Sequence, residues 1–405
     1  MKWYYLFFLH FCALVSGAQE LLTLDAVQDS IFKQYKIFPQ EKIHLHTDRT
    51  MYVPGEKILF KAYVVDVFTH RSLIYSQYAY VELINSSDSL IHRVMVTHDE
   101  NGMFYGHIFL ADFMPEGDYT LRAYTRHMEN LGDDYFFKRH IRIGALYETS
   151  KQEGRQPRPN YDVSFFPEGG NLPEGIVNRV AFKALNRQGA SESITGEIVD
   201  KEGNLITDVT TVFAGMGSFT YLPEQGKEYF LASKNSSGQE KRFKLPTAQK
   251  TYTICTNYRN KRHFVQVKKS PSMPERQFYL LVHCRGSVYY FASWNQHSDF
   301  ISFSNEQLPS GIIQAMLFDE QMNPVSERLF FNKNEDQAKL ILSPDKPVYQ
   351  KREKVSSEIY VTDMAGNPLA SHVSIAVTDD KDIAVDTLHP ITASLLLSSE
   401  LRGYI

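Results

Sequence analysis

Short runs of alternating apolar and polar residues, broken by turn-forming clusters, constrain this chain more than any other feature. Ile43-His44-Leu45, Ile58–Val65, Ala79–Ile84, Phe104–Leu110, Tyr119–Tyr124 and Phe136–Ile143 carry the two-residue period of strands with one buried face. Between them Val53-Pro54-Gly55-Glu56, Asn85–Asp88, Asp99-Glu100-Asn101-Gly102 and Pro115-Glu116-Gly117-Asp118 supply turn chemistry. The texture continues through Val180–Leu185, Thr195–Asp200, Gly217–Leu222 and Tyr229–Ala232. No helical period separates these runs, which argues against parallel βαβ units. The predicted fold class is all-β: tandem antiparallel β-sandwich domains, with one short N-terminal helix.

Three segments stand outside that pattern. Met1–Ala18 has Lys2, an apolar Trp3–Val15 core and a small-residue Ser16-Gly17-Ala18 end, the layout of a secretory signal peptide. Leu24, Val27, Ile31 and Tyr35 recur at helical spacing within Leu21–Tyr35, with Thr23 as the N-cap and Pro39 closing the run. Ile391–Leu401 reads as a second helix with Gly403 at its cap. The polar, proline-bearing Thr149–Asn160 reads as a linker. The expected order is a signal peptide at 1–18, a helical segment at 19–40, sandwiches at 41–148, 161–247 and 250–333, and the start of a fourth at 343–405. The apolar Tyr404-Ile405 ending suggests a fourth unit cut short and a longer parent chain.

Two internal echoes support an array of related units. Asp319–Ser326 aligns with Asp363–Ala370, and Asp200–Leu205 is a looser copy; each is a strand end, an Asx turn and a return to extended chain. Asp48–Ile58 aligns with Asp345–Val355, a basic residue and a tyrosine preceding a turn whose Glu-Lys opens a strand.

These residues carry a family resemblance. Lys42–Asp66, Tyr80–Ile84 and Asp118–Thr125 resemble the second-domain module of the α-macroglobulins, with Tyr52, Pro54, Gly55 and Glu56 in its turn and Gly117, Tyr119, Leu121 and Ala123 in its later strand. One inserted residue is allowed at each end, and the copy at Lys346 has Gln350-Lys351-Arg352 in place of Val53-Pro54-Gly55. The likeness covers Lys42–Gly144 and, more loosely, Phe165–Pro246 and Lys346–Asp379. It is similar also to exported Gram-negative envelope proteins whose longer members carry a TonB-dependent-receptor plug-like domain. The resemblance implies a non-catalytic structural or binding component of the periplasm or outer-membrane surface. Envelope or outer-membrane proteins are the implied partners, and TonB-dependent transport is the implied context. A macroglobulin-type endopeptidase inhibitor acting on proteases is the alternative. It would lack the thioester, because Cys255 precedes Thr256 and Cys284 precedes Arg285 where the family has Cys-Gly-Glu-Gln.

The residues themselves name no reaction. A net charge of −4 gives no global field for nucleic acid. His-Glu-x-x-His, Gly-x-Ser-x-Gly, P-loop and dinucleotide glycine patterns are missing, and Gly215-Met216-Gly217-Ser218 reads as a tight hairpin. No enzyme activity and no cofactor are expected. His44 and His46 share a strand face, a weak metal pair if Asp48 joins them, and otherwise a solvent-facing polar stripe. Tyr289, Tyr290, Phe291 and Trp294 would suit a glycan-binding module, the third alternative, if Trp294 is exposed. The pleat puts Cys284 in the core and Cys255 on the solvent side, so the two are expected as free thiols despite an exported address.

Overall fold

The computed structural model describes residues 23–72, 75–144, 160–187, 189–295, 297–379 and 390–401. Met1–Ala18, Leu21-Leu22, the 149–159 linker and Gly403 lie outside the described residues. Strands account for 49% of the structure, arranged in several antiparallel sheets with one short helix near each end.

Helix α1 (Leu24–Ile37) starts where Thr23 Oγ1 accepts the Ala26 N–H at 3.2 Å. The first unit follows: β1 (Glu41–Thr47), β2 (Met51–Tyr52), β3 (Lys57–Asp66), β4 (Tyr78–Asn85), β5 (Leu90–Thr97), β6 (Phe104–Phe109), β7 (Gly117–Thr125) and β8 (Phe137–Ile143). Its sheets run β1-β3-β6 and β2-β8-β7-β4-β5, only β2 pairing parallel. The second unit comprises β9 (Tyr161–Pro167), β10 (Asn178–Asn186), β11 (Ile194–Asp200), β12 (Leu205–Thr210), β13 (Met216–Tyr221), β14 (Tyr229–Asn235) and β15 (Glu240–Lys244). The third comprises β16 (Tyr252–Arg259), β17 (Arg262–Lys269), β18 (Tyr279–Cys284), β19 (Ser287–Ser293), β20 (Ile301–Ser304), β21 (Gly311–Phe318) and β22 (Pro324–Asn332). Strand orders β9-β10-β13 with β15-β14-β11-β12, and β16-β17-β20 with β22-β21-β18-β19, repeat that of the first unit once the small β2 is set aside. One Greek-key topology therefore occurs three times, each copy around its own core.

A fourth pair, β23 (Lys339–Pro344) and β24 (Ser357–Thr362), is the counterpart of β1 and β3 and begins ahead of the expected boundary at 343. The turn between them repeats the first turn bond for bond. Asp48 Oδ1 accepts from Tyr52 Oη at 2.8 Å and from Leu59 N at 3.0 Å, while Glu56 Oε2 accepts from Val53 N at 2.8 Å. In the fourth unit Asp345 Oδ1 accepts from Tyr349 Oη and, at 3.1 Å, from Ser356 N; Glu353 Oε2 accepts from Gln350 N at 2.7 Å. Gly55 has φ +87°, and Arg352 holds the equivalent place at φ +66°, a strain of about 1 kcal/mol for a side chain. The other echo is equally literal: Asn204, Asn323 and Asn367 each donate their N–H at 2.8 Å to Oδ1 of the aspartate four residues before.

In the first two units the alternating runs omit the short β2 and also β5, β9, β12 and β15. Three of them begin with polar or exposed residues at a sheet edge, where neither face imposes alternation; β5 exposes Leu90, Ile91 and Met95. The second helix, α2, spans only Ile391–Leu396, after which a 3-10 turn takes over at Ser398–Glu400. The hairpin reading of Gly215–Ser218 holds: Phe213 and Met216 pair across a two-residue turn in which Ala214 has φ +46° and Gly215 φ +72°.

One buried acid ties three strands together on the outer face of the larger first-unit sheet, the face opposite the core-lining Val81 and Leu83. Glu82 on β4 lies opposite Arg93 on β5 and Arg122 on β7. Its carboxylate, fully enclosed, accepts from Arg93 Nε at 2.6 Å, Arg122 Nε at 2.8 Å and Tyr124 Oη at 2.9 Å. Burial alone would raise its pKa, but the Arg122, Tyr124 and Arg93 hydrogen bonds outweigh burial and hold it below the usual value of 4.5. A depressed carboxylate stabilises the fold above its unfolded pKa, and that stabilisation is lost as pH falls below 4.5 through the folded value. Glu82→Gln should cost about 3 kcal/mol at neutral pH, as expected for breaking a buried pair. Acid unfolding should also be less steep in the variant, measured by denaturant melts along a pH series; parallel curves for the two proteins would remove Glu82 from the acid response.

Candidate functional site

The residues singled out by sequence fall at three places: the outer face of β1, the layer between helix α1 and the third sandwich, and the contact between the second and third sandwiches. Ile43 and Leu45 enter the first core, so Lys42, His44 and His46 line the other face of β1. That face is not a solvent-facing stripe, contrary to expectation. His44 is 4% exposed, with Phe137 edge-on at 5.2 Å between ring centroids. His46 Nδ1 lies 2.6 Å from Ser374 Oγ, which Tyr63 Oη also meets at 2.6 Å. Burial and the Arg139 charge lower the His46 pKa against the pull of Asp48. The chain after β24 thus crosses the outer face of the first sandwich, a contact no local pattern announces. Among the described residues no three His, Cys, Asp or Glu side chains gather as a metal site requires.

At the other end of β1, Lys42 is 3% exposed and donates to Glu400 and, at 2.9 Å, to Ser399 Oγ. Burial and the Arg285 guanidinium push its amino group well below the ordinary lysine value, and its Nζ faces the Glu400 carboxylate. The segment after α2 is therefore latched onto the first sandwich across 358 residues of sequence. Helix α1 makes the second tie. Val27 is buried with Leu281, Val288, Phe291 and Phe318 of the third unit, and Leu24 and Ile31 pack beside them. Gln28 Nε2 donates to Val288 O at 3.0 Å, while Tyr35 donates to Asp66 and stands edge-on to Phe68 at 4.4 Å. The helical stripe predicted from sequence is real, and its partner is the back of the third sandwich.

That arrangement uses up the aromatic cluster. Phe291 belongs to the layer under α1, and Trp294, 6% exposed, belongs to the third core with Tyr290 packed against it. Only Tyr289, 41% exposed, is left for solvent, so the stacking platform of the glycan reading is missing.

Cys255 and Cys284 are free thiols, and both are buried. Cys284 sits in the third core as expected. Cys255, expected toward solvent, is 6% exposed because the turn after β9 covers that side of β16. Thr253 Oγ1 donates to Glu168 O at 2.8 Å, Thr256 N to Glu168 Oε1 at 3.0 Å, and Ser326 Oγ to Gly169 O at 2.6 Å. Gly169, at φ +76°, is required there: a Cβ would lie 2.2 Å from Thr253 Oγ1. Burial raises the Cys255 thiol to about 11 and raises Cys284 as well, so neither is a ready nucleophile.

No protein-family model and no curated protein matches the sequence. Among solved structures, Escherichia coli α-2-macroglobulin activated by porcine elastase aligns at 11% identity over 80% of this chain and 33% of its own, with a TM-score of 0.28. A Salmonella α-2-macroglobulin mutant aligns at 12% identity over 79% of this chain and 25% of its own, with a TM-score of 0.22. The Escherichia coli adhesin FdeC aligns at 11% identity over 72% of this chain and 96% of its own, with a TM-score of 0.19. This chain spans a quarter to a third of the length of those macroglobulins. Every TM-score is under 0.5, and likeness of that size carries no argument about family or activity.

Two measurements follow from these contacts. Alkylation without reductant should label neither cysteine in the native protein and both after unfolding in denaturant; one native label would contradict the cover over Cys255, and none after unfolding would mean a disulfide. Glu400→Ala should destabilise by about 3 kcal/mol by leaving a buried ammonium without its carboxylate, whereas the Lys42→Met/Glu400→Leu pair should cost under about 1 kcal/mol. Thermal melts compare the two, and an equal loss in both would show that packing, not charge, holds the latch.

Proposed function

We propose that this chain is a non-catalytic, exported array of macroglobulin-like β-sandwiches that serves as a structural or binding component of a bacterial cell envelope. The observation that carries this reading is the doubly tied junction. Helix α1 fastens the first sandwich to the third, and the 390–401 segment is latched to β1 while its helix α2 also lies against β21, giving a fixed frame rather than a flexible string. The signal-like Met1–Ala18 supports export to the periplasm or outer-membrane surface, and no helix among the described residues is long and apolar enough to cross a membrane. Association with TonB-dependent transport is the finer form of this reading and rests on sequence resemblance alone.

Endopeptidase inhibition of the macroglobulin type is the second reading. It is disfavoured because both thiols are buried in packing contacts and neither has a thioester sequence beside it. Affinity capture from crosslinked outer membranes should recover envelope proteins with the tagged chain, and recovery of cytosolic proteins alone would count against an envelope role. Incubation with a panel of endopeptidases should leave each fully active on a bulky substrate; shielding of any one would restore the inhibitor reading.

A further inference from the structure

The third sandwich differs from the second at one point of its otherwise identical topology. In each three-stranded sheet the last strand pairs with only part of the central strand. The second unit closes the remaining edge of β10 with main chain: Ala184 N donates to Gly215 O at 2.8 Å, and Ala184 O accepts from Glu192 N at 3.0 Å. In the third unit β20 stops at Ile301, opposite Val265, and β17 runs on to Lys269. The hydrogen-bonding parity is fixed at both ends. Ser270 N donates to Thr251 O at 3.0 Å on the β16 side, and Asn305 N donates to Lys261 O at 3.1 Å on the β20 side. Alternation then points the main-chain N–H and C=O groups of Val267 and Lys269 away from β16, where no partner for them occurs among the described residues.

That edge opens into a cleft of about 520 Å³. Gln266, Val267, Lys268 and Lys269 all line it, and four consecutive strand residues line one cleft only where it follows the strand's edge. Its inner wall is Tyr252, Phe278 and Trp294; its rim holds Lys268, Lys269 and Arg276 against Glu275 and Asp299. Glu275 is already engaged by Lys269 at 3.1 Å, and Lys268 has no ion-pair partner among the described residues.

The geometry points to a strand-addition site: an extended peptide pairs antiparallel with Val267 and Lys269 in the line of β20, its alternate side chains apolar toward the aromatic wall and acidic toward Lys268. Val267 and Lys269 face inward with Val265, so the peptide residues opposite them face inward too and exchange the hydrogen bonds. This deepens the binding reading by giving it a partner chemistry, yet it stands on the edge of β17 alone.

The probe is an alternating valine–glutamate hexapeptide, titrated by calorimetry into the full mature chain. N-methylation of its valines should weaken binding at least about tenfold by removing the bonded N–H groups, whereas N-methylation of its glutamates, whose N–H groups point to solvent, should change it less than about twofold. Hydrogen exchange should slow at the Val267 and Lys269 amides, and Lys268→Glu should weaken binding severalfold with no change in the melting temperature. Equal effects of the two methylation patterns, equal binding of a valine–lysine hexapeptide, no binding of the parent peptide, or unchanged exchange at both amides would each overturn the site. None of those outcomes touches the envelope role, which the membrane capture tests separately.

Discussion

A sheet that is apolar on both faces must be covered on both, and the β19-β18-β21-β22 sheet of the third sandwich imposes that demand on the whole chain. One face, through Leu280, Val282 and Ala315, fills its own core; the other shows Leu281, Val288, Phe291 and Phe318. Leaving that second set in water would forfeit roughly 1.5–3 kcal/mol for each large side chain. Helix α1 supplies the cover, and because it leads directly into β1 it fixes the first sandwich beside the third. The Tyr35–Phe68 contact and the Lys42 latch follow from that placement.

The sequence was most readable where a residue's role depends on near neighbours. Strand alternation gave the β-sandwich class, and Leu24, Val27 and Ile31 marked the buried stripe of α1 correctly. Asp48 and Tyr52 were recognisable beside Asp345 and Tyr349 because their bonds lie within eleven residues. What stayed hidden depends on surfaces hundreds of residues away. His46 meets Ser374, Lys42 meets Glu400, and Cys255 is roofed by Glu168 and Gly169, none of which leaves a trace in local pattern. Cys255 does lie on the side of β16 opposite Tyr252 and Ile254, but the second unit covers that side instead of solvent. The open edge at Val267 was equally invisible, since it arises from the early end of a partner strand and not from β17 itself.

Repetition of one topology has allowed the copies to diverge in how they treat their edges. The second unit seals its central strand with main-chain bonds, whereas the third leaves a cleft. Charge differs as well: the first unit buries Glu82 between two guanidiniums on neighbouring strands, whereas the buried polar groups of the second and third units are uncharged side chains such as Asn178, Ser233, Thr253 and Asn332.

The spread of contact distances along the chain sets an order of assembly. The Asp–Tyr turns close loops of four to eleven residues, which form in well under a microsecond once the chain is free. Helix α1 must wait for Val288, some 260 residues later, and Lys42 for Glu400, 358 residues later. Whenever the chain emerges from its N-terminus, the first sandwich folds with its helix unplaced and its β1 face bare. During that interval an apolar helical stripe and a buried-site lysine are both presented to solvent. A holding chaperone, or an unfinished neighbour of the same kind, meets this protein at its most adhesive before the third sandwich exists to receive it.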